Sequence, residues 1–194
     1  CTAKKMEAER KESYTHEEKD TDYVLTTTEL IRMIDAHGIN FEALPSESCD
    51  MPFGIGSGGG VIFGATGGVM EAALRTAHYY VTGHDAPRVD FEMTRGLEGV
   101  KEGKLNVAGK EIRVAVAHGL ANVEQVLEKV RAAREAGEEL PYHFIEVMAC
   151  AGGCVGGGGQ PYGATNELRT KRAAGLYQED QAGLWRCSHH NPYI

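Results

Sequence analysis

The chain has 194 residues, 25 of them glycine, and a formal net charge of −8. A chain of this length can bury a core and form one domain, or one lobe of a larger one. The negative charge argues against a nucleic-acid-binding protein, because phosphate backbones are bound by Lys and Arg. No apolar run is long enough to span a membrane, and no signal peptide is recognisable, so we expect a cytoplasmic protein.

Five cysteines are present, which is an odd number. In a secreted protein an odd number would leave one thiol unpaired, whereas metal-bound thiolates in a reducing compartment account for it more simply. Cys49 and Cys187 lie in polar, turn-like segments, and we interpret both as incidental.

The first half of the chain predicts one strand and two helices. Residues 1–20 are mostly charged and typical of a solvated surface, although one helical turn would bring Cys1, Lys4 and Glu7 to the same side. The elements that follow are a strand at 22–25, a helix from Glu29 to Gly38 with threonine caps, a loop at 39–60 and a small-residue helix at 67–81.

The loop contains Gly54, Gly56 and Gly59, which satisfy the dinucleotide-binding pattern GxGxxG. That pattern requires a preceding strand and a helix directly after it, and neither is predicted here. We therefore interpret this stretch as a glycine loop packed beside a cofactor.

The second half predicts alternating strands and helices. Its elements are a strand at 88–96, a hairpin turning at Ala108 and Gly109, a helix at 122–136, a strand at 143–148 and a helix at 167–180. Strand, helix and strand in succession favour parallel pairing. The predicted fold is α/β: a twisted, mainly parallel sheet of about four strands with helices on both faces. His118, at the end of a central strand, is interpreted as structural.

The segment YHFIEVMACAGGCVGGGGQPYG, residues 142–163, carries the strongest chemical signal. An apolar strand delivers Cys150 and Cys154 into a loop with almost no side-chain bulk. Glycines let main-chain N–H groups approach an anionic group closely, which suits an iron–sulfur cluster. A structural zinc half-site, a disulfide and two inert thiols are the alternatives. The adjacent His189 and His190 could also bind a metal, but their turn-rich tail favours a structural role.

Three stretches resemble the [FeFe]-hydrogenases, the iron-only hydrogenases. VMACAGGCVGGGGQP is similar to the third cysteine motif of that family, CTAKKME to its second, and FGATGGVMEAALR to its long glycine-to-helix segment. Ala151 departs from the pattern, since many members have proline there, and should slightly loosen the loop.

The resemblance implies an enzyme that interconverts protons and electrons with dihydrogen at an H-cluster. This cofactor is a [4Fe-4S] cubane joined to a di-iron unit with CO, cyanide and dithiolate ligands. By the same resemblance Cys1 and Cys150 ligate the cubane, Cys154 is the bridging thiolate and Lys4 binds a cyanide ligand. Met148 packs against the di-iron unit, Phe63 lines the apolar wall, and Glu7 is a motif position that we expect to be structural. The catalytic residues among these are Lys4, Met148 and Cys154.

The resemblance also implies partners. These are maturation proteins and an electron carrier, which could be ferredoxin, an NAD(P)-linked subunit or a cytochrome. Residues 1–194 would form a partial H-cluster domain, truncated at both ends and inactive in isolation, with the first cysteine motif upstream and the cluster between two lobes. Two alternatives share the cysteine loop: a non-enzymatic protein of the related cluster-assembly family, and a sensory hydrogenase homologue.

Overall fold

The computed structural model describes residues 1–194 as an α/β fold. The helices are α1 (Thr2–Glu7), α2 (Thr27–Ala36), α3 (Gly58–Val61), α4 (Gly68–Thr82), α5 (Leu120–Ala136) and α6 (Asn166–Ala182). The strands are β1 (Tyr14–Thr15), β2 (Glu18–Lys19), β3 (Val100–Val107), β4 (Lys110–His118) and β5 (Phe144–Met148). None of the helices combines the length and the hydropathy that crossing a membrane requires.

The main sheet has three strands in the order β3-β4-β5. The β3–β4 hairpin is antiparallel and turns at Ala108 and Gly109, both with positive φ, as predicted. Strand β5 pairs in parallel with β4, from Val114 opposite Phe144 to His118 opposite Met148, and α5 forms the crossover. The prediction of about four mainly parallel strands is therefore corrected to one antiparallel and one parallel pairing.

Two predicted strands do not form. Residues 22–25 are irregular, and the Val24 carbonyl accepts a hydrogen bond from the Lys5 ammonium at 2.8 Å. Residues 88–96 contain a 3₁₀ turn, Glu92–Thr94, instead of a strand. There the Val89 carbonyl accepts from the Arg75 guanidinium at 2.7 Å. Both carbonyls are bonded to side chains, so they do not join a strand ladder.

Helices cover both faces of the sheet, as predicted. On one face Met70 and Leu74 of α4 pack against Val114 and Val116 of β4. On the other face Val123 and Val126 of α5 pack against Ala115 and Ala117. Alternate residues of β4 thus point to opposite cores, which accounts for its apolar character on both sides.

A buried ionic network joins α4 to α6. The Arg75 guanidinium donates to Asp180 and to Glu71, each at 2.7 Å, and all three side chains are fully buried. Arg186 also donates to Asp180, and Arg95 to Glu71. Removing one partner of such a group leaves an uncompensated buried charge, so the network fixes how the two helices pack.

Candidate metal centre at the cysteine loop

The cysteine loop, residues 149–160, begins directly after β5. Its first turns are closed by main-chain hydrogen bonds: the Gly153 N–H donates to the Cys150 carbonyl and the Gly157 N–H to the Cys154 carbonyl, each at 3.0 Å. Gly152 and Gly153 have φ of +79° and +89°, a conformation that side chains with a Cβ rarely adopt. Cys150 and Cys154 are both exposed and free.

The glycine run, residues 156–159, leaves little room for side chains. A Cβ added to Gly157 would lie 3.3 Å from the Cys150 sulfur. A Cβ on Gly158 would lie 2.3 Å from the Thr2 hydroxyl, and one on Gly159 would lie 3.6 Å from the Cα of Cys1. The main chain therefore approaches both Cys150 and the amino-terminal segment closely.

Cys1 is held beside this loop by its neighbour. The Thr2 N–H donates to the Gly158 carbonyl at 3.2 Å, and Thr28 at the start of α2 donates to the Gly159 carbonyl through its N–H and its hydroxyl. The structure thus brings three of the residues predicted as metal ligands, Cys1, Cys150 and Cys154, to one glycine-rich segment. Cys1, like the other two, is exposed and free.

The base of the loop is tied to the sheet. The Gly152 N–H donates to His118 Nδ1 at 3.1 Å, and His118 Nε2 lies 3.3 Å from the Leu97 carbonyl. Both nitrogens are used, as expected of a structural histidine. A Cβ on Gly153 would lie 2.9 Å from the Met148 sulfur, so the Met148 side chain packs against the loop at Gly153.

Glu146 connects β5 to the glycine-to-helix segment. Its buried carboxylate accepts from the Gly67 N–H at 2.6 Å and the Met70 N–H at 2.7 Å, at the start of α4. Gly67, the N-cap residue, has no side chain to cap the helix, so Glu146 satisfies two of its free donors. Sequence reasoning missed this residue. Its signal is a lone acidic residue within an apolar strand.

Two arginines of α6 contact the other side of the loop. Arg172 donates to the Val155 carbonyl at 2.9 Å. The Arg169 side chain lies so close to Gly156 that an added Cβ would be 2.6 Å from its Nε, which is buried without a hydrogen-bond partner. Their guanidinium groups place positive charge beside the loop. Nothing in the polar helix sequence marks these two arginines among its other charges.

Lys4 and Phe63, the two other predicted site residues, are both partly exposed. The Lys4 ammonium pairs with Glu7 at 2.5 Å, about half exposed, and this hydrogen bond lowers the pKa of the Glu7 carboxyl. Phe63 is 46% exposed, on a 3₁₀ turn that packs against Cys154–Gly156. The structure records no hydrogen bond from Lys4 to the cysteine loop.

The donor set fits an iron–sulfur cluster better than a structural zinc ion. Three free cysteines lie in or beside a glycine run whose main chain can approach an anionic cluster. A structural zinc site needs four ligands, and the histidine beneath the loop, His118, has both nitrogens in hydrogen bonds.

Residues 1–158 match the family described as iron only hydrogenase large subunit, C-terminal domain. The chain belongs to this family. It is 48% identical over 195 residues to the NADP-reducing hydrogenase subunit HndD of Solidesulfovibrio fructosivorans, covering 100% of this chain and 32% of that protein. It is 50% identical over 161 residues to the periplasmic [Fe] hydrogenase large subunit of Nitratidesulfovibrio vulgaris, covering 83% of this chain and 37% of that protein.

The fold agrees with this membership. A variant of the [FeFe]-hydrogenase HydA1 from Chlamydomonas reinhardtii superposes with a TM-score of 0.71 at 38% identity, covering 99% of this chain and 55% of that structure. The cytosolic Fe-S cluster assembly factor narfl of Xenopus tropicalis is more distant, 31% identical over 170 residues, covering 82% of this chain and 34% of that protein. The chain spans about a third of the length of these curated relatives.

Proposed function

We propose that this chain is part of the catalytic domain of an [FeFe]-hydrogenase, and that Cys1, Cys150 and Cys154 hold its H-cluster. The observation that carries the proposal is that three free cysteines lie in or beside one glycine run, in a chain whose family is iron-only hydrogenase. Cys1 and Cys150 would ligate the [4Fe-4S] cubane, and Cys154 would bridge it to the di-iron unit. When bound, the H-cluster supplies the interconversion of protons and electrons with dihydrogen.

The chain's own contribution is to hold the thiols and shape their surroundings. The glycine run keeps side chains away from the cysteines, and the Met148 sulfur packs against Gly153, next to Cys154. Arg172 and Arg169 place positive charge at the loop, which suits an anionic cofactor.

Lys4 would bind a cyanide ligand of the cofactor, and Phe63 would form part of the apolar wall. Lys4 now pairs with Glu7, and both side chains are about half exposed. Exposed ion pairs contribute little free energy, so the ammonium can be released to an anionic ligand at small cost.

The electron partner would be an NAD(P)-linked subunit or ferredoxin, the first supported by the name of the NADP-reducing relative. Assembly would require maturation proteins. We place the protein in the cytoplasm, because free thiols and a metal–sulfur site favour a reducing compartment. The periplasmic relative indicates that location varies within the family.

Single cysteine variants of the full-length protein test the proposed ligands. Cys150→Ser and Cys154→Ser should each lower bound iron and acid-labile sulfide and abolish hydrogen uptake. Cys49→Ser provides the matched control, since Cys49 is also exposed and free but lies in the 39–60 loop. Wild-type iron content in both loop variants would contradict the assignment.

A further inference from the structure

A second group of metal-ligating side chains lies where the carboxyl-terminal tail meets the end of α4. Cys187, His189 and His190 come from the tail, and Asp85 comes from the loop after α4. One ligand atom from each residue lies within 4.8 Å of all the others. The tail sequence alone does not reveal this group, because its fourth member is 104 residues from His189.

Both imidazoles direct the same atom toward Asp85. His189 Nε2 lies 2.9 Å and His190 Nε2 3.0 Å from Asp85 Oδ1. In a tetrahedral zinc site the ligand atoms are about 3.3–3.8 Å apart, given metal–ligand distances of about 2.0–2.3 Å. Each imidazole nitrogen and the carboxylate oxygen would move apart by about half an ångström to take up a cation.

His189 is oriented as a metal-ligating histidine usually is. Its ring stacks on Tyr79, with centroids 4.2 Å apart and planes 14° apart. Its other nitrogen, Nδ1, lies 3.2 Å from the Thr76 hydroxyl. A hydrogen bond at one ring nitrogen fixes the ring and leaves the other nitrogen for the metal.

The cluster is buried on one side and open on the other. Cys187 is 3% exposed and the His189 side chain 3%, whereas His190 and Asp85 are 40% and 49% exposed. Solvent therefore reaches the carboxylate and one imidazole, which provides the entry path that a metal site requires.

We infer that Cys187, His189, His190 and Asp85 form a site for a borderline divalent cation, best matched by Zn²⁺, that fastens the tail to α4. One thiolate, two imidazoles and one carboxylate are all zinc ligands, and four of them complete a structural site. Zn²⁺ needs no redox partner, so the site would stabilise the protein without taking part in electron transfer.

The test uses the full-length, cluster-bearing protein, incubated with Zn²⁺ alone and then freed of loose metal by gel filtration. Elemental analysis should find one zinc per chain. X-ray absorption at the zinc edge should find one sulfur at about 2.3 Å and nitrogen or oxygen at about 2.0–2.1 Å. His190→Gln and Asp85→Asn, both at exposed positions, should each lower zinc affinity at least about tenfold while the protein stays folded.

Cys49→Ser is the control and should retain zinc as the wild type does. The inference is overturned if no zinc is retained, if both His190→Gln and Asp85→Asn bind it undiminished, or if two or more sulfurs surround it. The last result would place the metal at the cysteine loop.

Discussion

Glu146 provides the sharpest test of how the cysteine strand is joined to α4. Its carboxylate accepts two main-chain hydrogen bonds, from Gly67 at 2.6 Å and Met70 at 2.7 Å, and the residue is 4% exposed. Glu146→Gln keeps the shape and one acceptor oxygen. Its amide NH₂ would face one of the two N–H groups, and that donor would be left buried without an acceptor.

The expected loss combines two contributions. A hydrogen bond to a charged group contributes about 1.5–3 kcal/mol, and a negative charge at a helix N-terminus about 0.3–2 kcal/mol. Glu146→Gln should therefore lower the free energy of unfolding by about 2–4 kcal/mol. For a chain of this size, each kcal/mol lost lowers Tm by about 2–4 °C.

Urea unfolding at pH 7 measures this loss as a lower midpoint at unchanged slope. Hydrogen exchange should also become faster in the peptide that contains Gly67 and Met70. Glu111→Gln is the matched control, because Glu111 on β4 is about half exposed and pairs only with surface cations, so it should change stability by less than about 0.5 kcal/mol. A Glu146→Gln variant as stable as this control would refute the capping role.

Three further predictions concern the loop and its supports. Gly153→Ala should lower the free energy of unfolding by at least about 3 kcal/mol, because its Cβ would lie 2.7 Å from the Thr66 backbone nitrogen. Gly163→Ala, also at positive φ but in open space, should lower it by only about 1–2 kcal/mol. Equal losses of stability in thermal unfolding would contradict this prediction. Burial lowers the pKa of Lys101 from 10.5 to about 8, so the folded protein binds fewer protons than the unfolded chain between those values. The free energy of unfolding should therefore rise between about pH 8 and 10.5, and Lys101→Met should remove this rise. A variant with the same pH dependence of stability as the wild type would contradict the assignment to Lys101. Arg172→Met should lower the reduction potential of the bound cluster, because it removes a positive charge from the loop, whereas Arg172→Lys should not. Redox titration followed by EPR measures both potentials, and equal potentials in the two variants would contradict the prediction.

Local patterns predicted most elements of this fold. The Ala108–Gly109 turn, the helix between β4 and β5, and the strand before the cysteine loop were all predicted from turn residues and periodicity. Their signals lie within a few residues of each element. The strand predicted at 88–96 was wrong, because oxygens of Val89 and Asp90 in this segment accept hydrogen bonds from arginines of the buried network.

The candidate site was predicted less completely. Motif resemblance named the three cysteines, and the glycine run indicated a close approach of the main chain. The sequence could not show that Glu146 caps α4 or that Arg172 contacts the loop, because both depend on tertiary contacts between distant elements. The same holds for Asp85 and the tail histidines, which only the fold brings together.

Infrared spectroscopy of the full-length protein tests the central claim most directly. The protein would be purified without oxygen from cells able to build the cofactor. The account predicts bands from iron-bound CO and cyanide, which should be lost in Cys154→Ser and kept in Cys49→Ser. Iron and sulfide without those bands would contradict the hydrogenase assignment and indicate a non-enzymatic iron–sulfur protein with the same cysteine loop.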